Sequence, residues 1–236
     1  MYIKNKEGKI VVHADEKNLN NVQFELLHMA PEFTNSVLAF RGTDCVIFDA
    51  WGRADDWLRL LRGRNLQLKA IYSTHGHPDH IAAAPDLVFA TGCRWFLHKS
   101  DFNLLGWGGD ILTNFGLKPL TRGVVPDALP NGRVMVFPGV TMDVIPMPGH
   151  TPGGVAFYFS DFGICLVGDT IFADSIGRTD LPGGDIYRLK QSVSDFYHLN
   201  LPNYTTVIPG HDKITTVGQL KEDNPWVKSL ELGRAR

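Results

Sequence analysis

Short apolar stretches, separated by glycine, proline and polar turn residues, predict a chain that combines strands with helices. Residues 37–40 and 45–49 are rich in strand-forming types, and the segment 41–44 between them has the glycine and aspartate of a hairpin connection. Apolar residues then recur at roughly helical spacing from 53 to 68, and 70–73 is a short apolar run. The chain is therefore predicted to enter as an antiparallel hairpin and to continue as strand, helix, strand.

The rest of the chain repeats this mixture of elements. Pro85 is placed to begin a helix that stops at Gly92, and residues 94–97 resume strand character. A stretch rich in glycine and proline, 101–133, shows no regular pattern and indicates a long surface excursion. Further elements are predicted in the second half: strands at 134–137, 141–145, 155–159 and 164–167, a helix over 186–197 and a final short strand at 205–208.

Two strand-rich halves with helices between them are compatible with an α/β fold built as a four-layer αββα sandwich. A length of 236 residues, with 44% apolar and 20% charged side chains, suits one soluble domain that buries a sizeable core. We therefore expect a single domain over residues 1–236, with a surface excursion at 101–133. No apolar run approaches the roughly 18 residues that a membrane-spanning helix requires, so no membrane partner is expected.

Charge and cysteine content indicate which classes of partner and which cellular location to expect. Twenty-three basic against 25 acidic residues give a formal net charge of -2, and no block of like charges is present, which disfavours a nucleic-acid partner. Cys45, Cys93 and Cys165 lie in or beside apolar stretches without a paired spacing, so they are predicted to be buried, inert thiols. The first residues carry positive charge but no following apolar segment, which favours a cytoplasmic location.

The segment 74–80 has the sequence Thr-His-Gly-His-Pro-Asp-His, which crowds three imidazoles and a carboxylate behind a predicted buried strand. The pattern His-x-His-x-Asp-His should arise by chance in about one such sequence in a thousand. On a locally extended segment, His75, His77 and Asp79 would lie on one side, and the turn at Pro78 would direct His80 to a neighbouring point. One loop is therefore predicted to supply ligands to two metal ions, because such a group of polar side chains is costly to desolvate without a cation.

Three further motifs place a ligand-forming side chain directly after a glycine at a predicted strand end. They contain His150, Asp169 and His211, respectively. Glycine relaxes the backbone where a chain turns out of a strand, so each side chain could point along the sheet edge into a shared cleft. Taken separately, each could be an ordinary turn residue, and their joint occurrence is what indicates a metal site. The donor set of imidazoles and carboxylates suits Zn²⁺, Mn²⁺ or Fe²⁺.

In this order, these motifs resemble the metallo-β-lactamase superfamily, over about residues 35–211. Within it, the segments 176–185 and 209–217, followed by Asn224 and Pro225, are similar to the short bacterial proteins of the hydroxyacylglutathione hydrolase-like, or glyoxalase II-like, group. The resemblance implies the metallo-β-lactamase fold and one dinuclear metal site. It implies that one ion is held by His75, His77 and His150, that the other is held by Asp79, His80 and His211, and that Asp169 bridges them.

The same resemblance implies an activity. Two divalent ions, zinc first and iron or manganese as alternatives, would lower the pKa of a bridging water, and the resulting hydroxide would attack a thioester such as S-lactoylglutathione. Asp79 and Asp169 are the expected catalytic carboxylates. Asp49, at the end of the predicted strand 45–49, corresponds to an acidic residue of the superfamily and is expected to support a ligand histidine through a hydrogen bond.

Other activities remain open at this point. A related family, the persulfide dioxygenases, shares the Gly-His-Thr-Pro-Gly and Gly-Arg-Thr-Asp motifs but uses a single iron, and a phosphodiesterase or other ester hydrolase suits the same dinuclear site. Longer glyoxalase II enzymes carry a C-terminal helical domain, whereas only a short segment follows His211. The expected partner is a small-molecule thioester or ester, and the oligomeric state is not predicted.

Three more side chains have two interpretations each. Arg178 and Asp180 could contact substrate or form an internal ion pair that shapes their loop. Trp107, close to three glycines, could cover an apolar acyl group as a mobile lid or could pack beneath the excursion.

Overall fold

The computed structural model describes residues 2–4, 10–13, 22–29, 34–117 and 123–233. The chain divides into two compact units, the first formed by residues 1–129 and 135–141 and the second by residues 130–134 and 142–236. Each unit combines β-sheet with α-helices. The expectation of a single domain with a surface excursion at 101–133 stays a prediction. The described part of that stretch contains two short helical segments, a two-residue strand and the first two residues of the strand Gly132–Phe137.

Among the described residues, the first sheet has eight strands that follow one another in chain order. They are β1 Tyr2–Lys4, β2 Ile10–His13, β3 Gln23–Met29, β4 Thr34–Arg41, β5 Asp44–Phe48, β6 Gln67–Tyr72, β7 Arg94–Leu97 and β8 Asp127–Ala128. Neighbours are antiparallel from β1 to β5 and parallel from β5 to β8. The helices of this unit are α1 Ala54–Gly63, α2 Pro78–Ile81, α3 Ala84–Thr91, the 3₁₀ helix Lys99–Leu104 and α4 Gly109–Asn114. The predicted antiparallel hairpin is confirmed as β4 and β5, but its place at the entry of the chain is wrong, because β1, β2 and β3 precede it.

Helix α1 is shorter than the sequence pattern predicts. Its buried positions are Trp57 and Leu61, but the helix ends at Gly63. Asn65 has a φ of 53°, the left-handed conformation that a short polar side chain tolerates, and this turns the chain out of the helix. The predicted helix to residue 68 is therefore wrong at its end, because Leu68 is a buried position of β6.

The second sheet has the order β14-β13-β12-β11-β10-β9 among the described residues. Its strands are β9 Gly132–Phe137, β10 Val140–Pro146, β11 Val155–Phe159, β12 Ile164–Gly168, β13 Thr206–Pro209 and β14 Thr215–Thr216. The helices are α5 Ile186–His198, α6 Val217–Asp223 and α7 Pro225–Gly233. The four predicted strands and the helix after them are confirmed. The strand predicted as the last one is β13, and that prediction is wrong about the order, because β14 and two helices follow it.

Each unit has its own apolar core. In the first unit, helices α1 and α3 pack against strands β5 and β6 through fully buried side chains: Ile47, Trp57, Ile71 and Leu87. In the second, α5 and α6 pack with strands β12 and β13 through a similar set: Val167, Val193, Phe196, Val207 and Leu220. These cores fix the strand ends, and the candidate site residues lie just beyond them.

The three cysteines are buried and free, as predicted. Burial raises the pKa of Cys45 to about 12 and also raises the pKa of Cys93 and of Cys165. A thiol held in its protonated form is a poor nucleophile and a poor metal ligand. Over the described part of the chain, no helix is long and apolar enough to cross a membrane.

Candidate metal centre

In the first unit, Asp49 organises the loop that follows strand β6. Strands β5 and β6 are parallel and end side by side, so Asp49 comes next to the start of the histidine loop. The backbone N–H of Asp49 donates to the carbonyl of Tyr72 at 3.0 Å. Its carboxylate accepts hydrogen bonds from the backbone N–H of Thr74 at 2.7 Å and from the Thr74 hydroxyl at 2.8 Å. Asp49 has a φ of 53°, which aspartate tolerates.

These contacts determine which nitrogen of His75 carries a proton. The Thr74 hydroxyl donates its hydrogen to Asp49, so its oxygen accepts from Nδ1–H of His75, 3.1 Å away. Nε2 of a neutral His75 is then left with a lone pair, the form in which imidazole binds a metal. Oδ2 of Asp49 also lies 3.0 Å from Nδ1 of His80. A single carboxylate thus contacts one histidine directly and a second through a hydroxyl group.

His77, Asp79 and His80 lie at the beginning of helix α2. The expectation that His75, His77 and Asp79 share one side of an extended segment is wrong, because Pro78 begins α2 and places Asp79 in its first turn. The four residues nevertheless lie close together. The ring centroid of His75 is 4.8 Å from that of His77 and 4.0 Å from that of His80. Oδ2 of Asp79 lies 3.5 Å from Nε2 of His80.

Trp107 lies beside this histidine cluster. Its ring centroid is 5.3 Å from that of His77. The next residue, Gly108, has a φ of 77°, and a Cβ atom built there would lie 2.3 Å from Cγ of Pro78. Since only glycine permits so close an approach, the Trp107 segment is packed against the start of α2. This favours a fixed apolar wall over a mobile lid.

In the second unit, the parallel strands β12 and β13 also end side by side. Gly168 pairs with Pro209, and the N–H of Gly210 donates to the carbonyl of Gly168 at 2.9 Å. Asp169 and His211 follow these ends directly. Oδ2 of Asp169 lies 3.4 Å from Nε2 of His211 and 3.6 Å from Nε2 of His150.

Gly149 determines the position of His150. It has a φ of 135°, and a Cβ atom there would lie 2.2 Å from the backbone nitrogen of Leu189. The chain before His150 therefore passes directly against helix α5, which any larger residue would prevent.

The tautomer of His150 follows from its backbone contact. Nδ1 lies 2.7 Å from the carbonyl oxygen of Arg178, and because a carbonyl only accepts, Nδ1 carries the proton. The lone pair on Nε2 is then directed to the same side as Oδ2 of Asp169, so two acceptors face each other. A cation between Nε2 of His150 and Oδ2 of Asp169 would be coordinated by both atoms and would remove the repulsion between them. The imidazole and carboxylate donors of this unit therefore fit a divalent metal ion such as zinc or iron.

Arg178 and Asp180 form an ion pair with each other. Both guanidinium contacts are short, at 2.7 Å and 2.6 Å, and the two side chains are exposed. The hydrogen bond from Arg178 lowers the pKa of Asp180 to about 2. Of the two interpretations from the sequence, the internal ion pair is the one that the structure contains. It shapes the loop whose backbone carbonyl orients His150.

The structure thus brings the sequence-predicted residues together in two groups, one in each unit. The first group is His75, His77, Asp79 and His80 with Asp49 beside them, and the second is His150, Asp169 and His211. Sequence reasoning missed three supporting contacts: the hydroxyl of Thr74, the carbonyl of Arg178 and the carboxylate of Asp101, which accepts from the N–H of Gly76 at 2.9 Å.

Comparison with known proteins identifies the family of this chain. Residues 29–211 match the family described as the metallo-beta-lactamase superfamily. Hydroxyacylglutathione hydrolase GloC of Haemophilus influenzae is 33% identical over 189 residues, which cover 79% of this chain and 88% of that protein.

Two solved structures are similar over most of the chain. The BLEG-1 B3 metallo-beta-lactamase is 33% identical with a TM-score of 0.77 and covers 86% of this chain and 99% of its own. TTHA1623, solved in a di-iron-bound form, is 32% identical with a TM-score of 0.76 and covers 85% of this chain and 98% of its own. The fold expected from the sequence is therefore confirmed, and the chain belongs to the metallo-β-lactamase superfamily.

Proposed function

We propose that this chain is a dinuclear metal-dependent hydrolase that cleaves a thioester, with S-lactoylglutathione as the representative substrate. The observation that carries the proposal is the carboxylate of Asp169, whose Oδ2 lies within 3.6 Å of two imidazole nitrogens. Membership of a superfamily of metal-dependent hydrolases supports the reaction class. The name of the GloC relative, a hydroxyacylglutathione hydrolase, supports the thioester.

The proposed ligands are those implied by the family resemblance. One ion would be held by His75, His77 and His150, the second by Asp79, His80 and His211, with Asp169 bridging the two. Two observations made within single units support this assignment. In the first, His75 and His77 offer ligand atoms within 4.8 Å of each other, as do Asp79 and His80. In the second, one oxygen of Asp169 is near both histidines. Zinc is the proposed metal, and the di-iron form of TTHA1623 makes iron the alternative.

The chain's own residues would prepare the site for this reaction. When bound, two divalent ions supply a hydroxide near neutral pH and Lewis-acid stabilisation of an anionic carbonyl oxygen. Thr74 and the carbonyl of Arg178 keep Nδ1 of His75 and of His150 protonated, which reserves each Nε2 for a metal. Asp79 has the more exposed carboxylate, at 25% against 10% for Asp169, so we propose that it accepts a proton from incoming water.

We propose that Trp107 contacts the substrate. Its indole lies next to the ring of His77, where it would exclude water and pack against the acyl part of the thioester. A small-molecule thioester is the proposed partner, with no nucleic acid or membrane involved, and the cytoplasm is the proposed location.

Metal content and thiol release, measured on one sample, test the proposed function. We expect two metal ions per chain by elemental analysis and rapid release of glutathione from S-lactoylglutathione, with both lost after treatment with a chelator and both restored by Zn²⁺. One iron per chain with oxygen uptake and little thiol release would contradict the proposal. Two ions without release would reject glutathione thioesters as the substrate.

Thr74→Val is expected to weaken Zn²⁺ binding by about 10- to 100-fold, the usual effect of losing a group that orients a metal-binding histidine. Valine keeps the β-branched shape of the buried threonine but cannot link Asp49 to Nδ1 of His75. Thr74→Ser keeps the hydroxyl and is expected to bind Zn²⁺ as the parent does. Competition with a chromophoric chelator measures the dissociation constants, and equal values for valine and serine would reject the role of the hydroxyl.

A further inference from the structure

Asp101 is a buried carboxylate outside the proposed ligand set. It lies in the 3₁₀ helix Lys99–Leu104 and is 0% exposed. Its Oδ2 accepts a hydrogen bond from the backbone N–H of Gly76 at 2.9 Å. Gly76 is the residue between His75 and His77, so this bond reaches the middle of the histidine loop. Among the described residues, Asp101 belongs to neither group of candidate metal ligands.

The loop and the 3₁₀ helix are packed closely at this point. A Cβ atom built on Gly76 would lie 3.0 Å from Cβ of Asp101, 3.1 Å from its carbonyl oxygen and 3.2 Å from Cβ of Leu104. The helix start is itself held, since the N–H of Asp101 donates to the carbonyl of His98 at 3.0 Å. The helix therefore leaves little room for a side chain at position 76, and the hydrogen bond to Asp101 opposes movement of the loop away from the helix.

Two buried carboxylates therefore hold the backbone on either side of His75. The N–H of Thr74 donates to Asp49 at 2.7 Å and the N–H of Gly76 donates to Asp101 at 2.9 Å. Hydrogen bonds to a charged acceptor are stronger than neutral ones, and burial increases the difference. A carboxylate is also costly to bury, so the presence of Asp101 beneath the histidine loop calls for a reason beyond packing.

We propose that Asp101 is a positioning residue of the metal centre, which fixes the backbone between His75 and His77 so that both imidazoles meet the same ion. It acts through the N–H of Gly76 and does not contact the metal. This inference rests on the proposed function only in that His75 and His77 bind metal. It assigns a supporting role to Asp101, the first residue of the stretch 101–133, in which the sequence pattern indicated no regular structure.

Three variants separate this role from simple packing. Asp101→Ala removes the acceptor, and Asp101→Leu removes it while keeping the buried volume filled. Both are expected to weaken Zn²⁺ binding by about 10- to 100-fold, as loss of a group supporting a ligand does. Asp101→Asn keeps an oxygen that can accept from Gly76 and is expected to stay within about threefold of the parent, because the geometry is preserved.

Glu25→Ala is the matched control. Glu25 is another buried carboxylate of the first unit, 5% exposed and paired with Arg64 instead of the histidine loop. Its replacement is expected to lower thermal stability while leaving Zn²⁺ affinity unchanged, because it leaves the partly buried guanidinium of Arg64 without its partner but does not touch the loop.

The dissociation constant for Zn²⁺ is measured by chelator competition on the full chain, with the visible spectrum of the Co²⁺-loaded protein as the report on ligand geometry. Weakened binding in the alanine or leucine variant, an altered Co²⁺ spectrum and rescue by asparagine would support the proposal. Parental affinity in a folded alanine or leucine variant, loss in asparagine equal to that in leucine, or equal loss in Glu25→Ala would overturn it. A parent chain that binds no Zn²⁺ would instead reject the proposed function.

Discussion

Asp169→Asn is expected to lower kcat/KM for thioester cleavage by about 1,000-fold or more and to reduce the metal content below that of the parent. The carboxylate oxygen near His150 and His211 is the group proposed to bridge both ions, and asparagine removes its charge. A metal ion contributes several kcal/mol of transition-state stabilisation, and about 1.4 kcal/mol corresponds to a factor of ten in rate. The asparagine amide can donate to an imidazole nitrogen, so the fold should persist without the metal.

Asp174→Asn is the control for this substitution. Asp174 is an exposed carboxylate a few residues further along the same segment, so the variant loses the same charge without touching the histidines. Steady-state kinetics and elemental analysis of both proteins provide the comparison. Asp169→Asn with parental metal content and turnover would show that Asp169 does not bridge the ions, whatever the family resemblance implies.

The positions of the proposed ligands could be predicted because they follow from local sequence. Each lies beyond an apolar strand, and those strands are evident from their composition: 94–97 and 155–159 match β7 and β11 at both ends. Pro85 and Gly92 mark the ends of α3 in the same local way, since Gly92 has a φ of 70°. A dense group of histidines at a strand end is then a direct chemical signal.

Strands that are defined mainly by their pairing with distant parts of the chain could not be predicted from the sequence pattern. Strands β1, β2 and β3 were not predicted, because irregular polar runs separate the short apolar groups near the N-terminus and leave no clear period. Within the described part of the chain, they pair with one another and with β4. Strand β14 has two residues and is recognisable only by its pairing with β13. Asp79 was assigned to an extended segment because the helix-starting role of Pro78 competes with its role in turns.

The groups that orient the histidines were also hidden from sequence reasoning, for a different reason. The contact to His150 is made by the backbone carbonyl of Arg178, so the identity of the side chain at position 178 does not predict it. Asp101 lies in the irregular stretch and meets Gly76 only through the packing of the 3₁₀ helix. Such contacts are long-range in the sequence, and only three-dimensional geometry reveals them.

Gly177 is the second position at which we expect a large effect, because it lies against two residues of the proposed site. A Cβ atom there would be 1.9 Å from the carbonyl oxygen of Asp169 and 3.3 Å from Nδ1 of His150. The N–H of Gly177 also donates to the carbonyl of Thr170 at 3.2 Å. The backbone of Gly177 is not in the left-handed region, so alanine is excluded there by contact rather than by conformation.

Gly177→Ala is therefore expected to displace the loop, to lengthen the contact between the Arg178 carbonyl and His150, and to shift Asp169. A misplacement of about 1 Å costs about 100-fold in rate, so we expect at least that loss in kcat/KM, together with weaker metal binding and a lower Tm. Gly63→Ala is the matched control, because a Cβ atom at that helix position meets nothing within 4 Å and alanine favours helix. If Gly177→Ala retains parental metal content and turnover, the close approach of this loop is not what holds the two ligands in place. The orientation of His150 must then come from Gly149 and the packing of its strand end on α5.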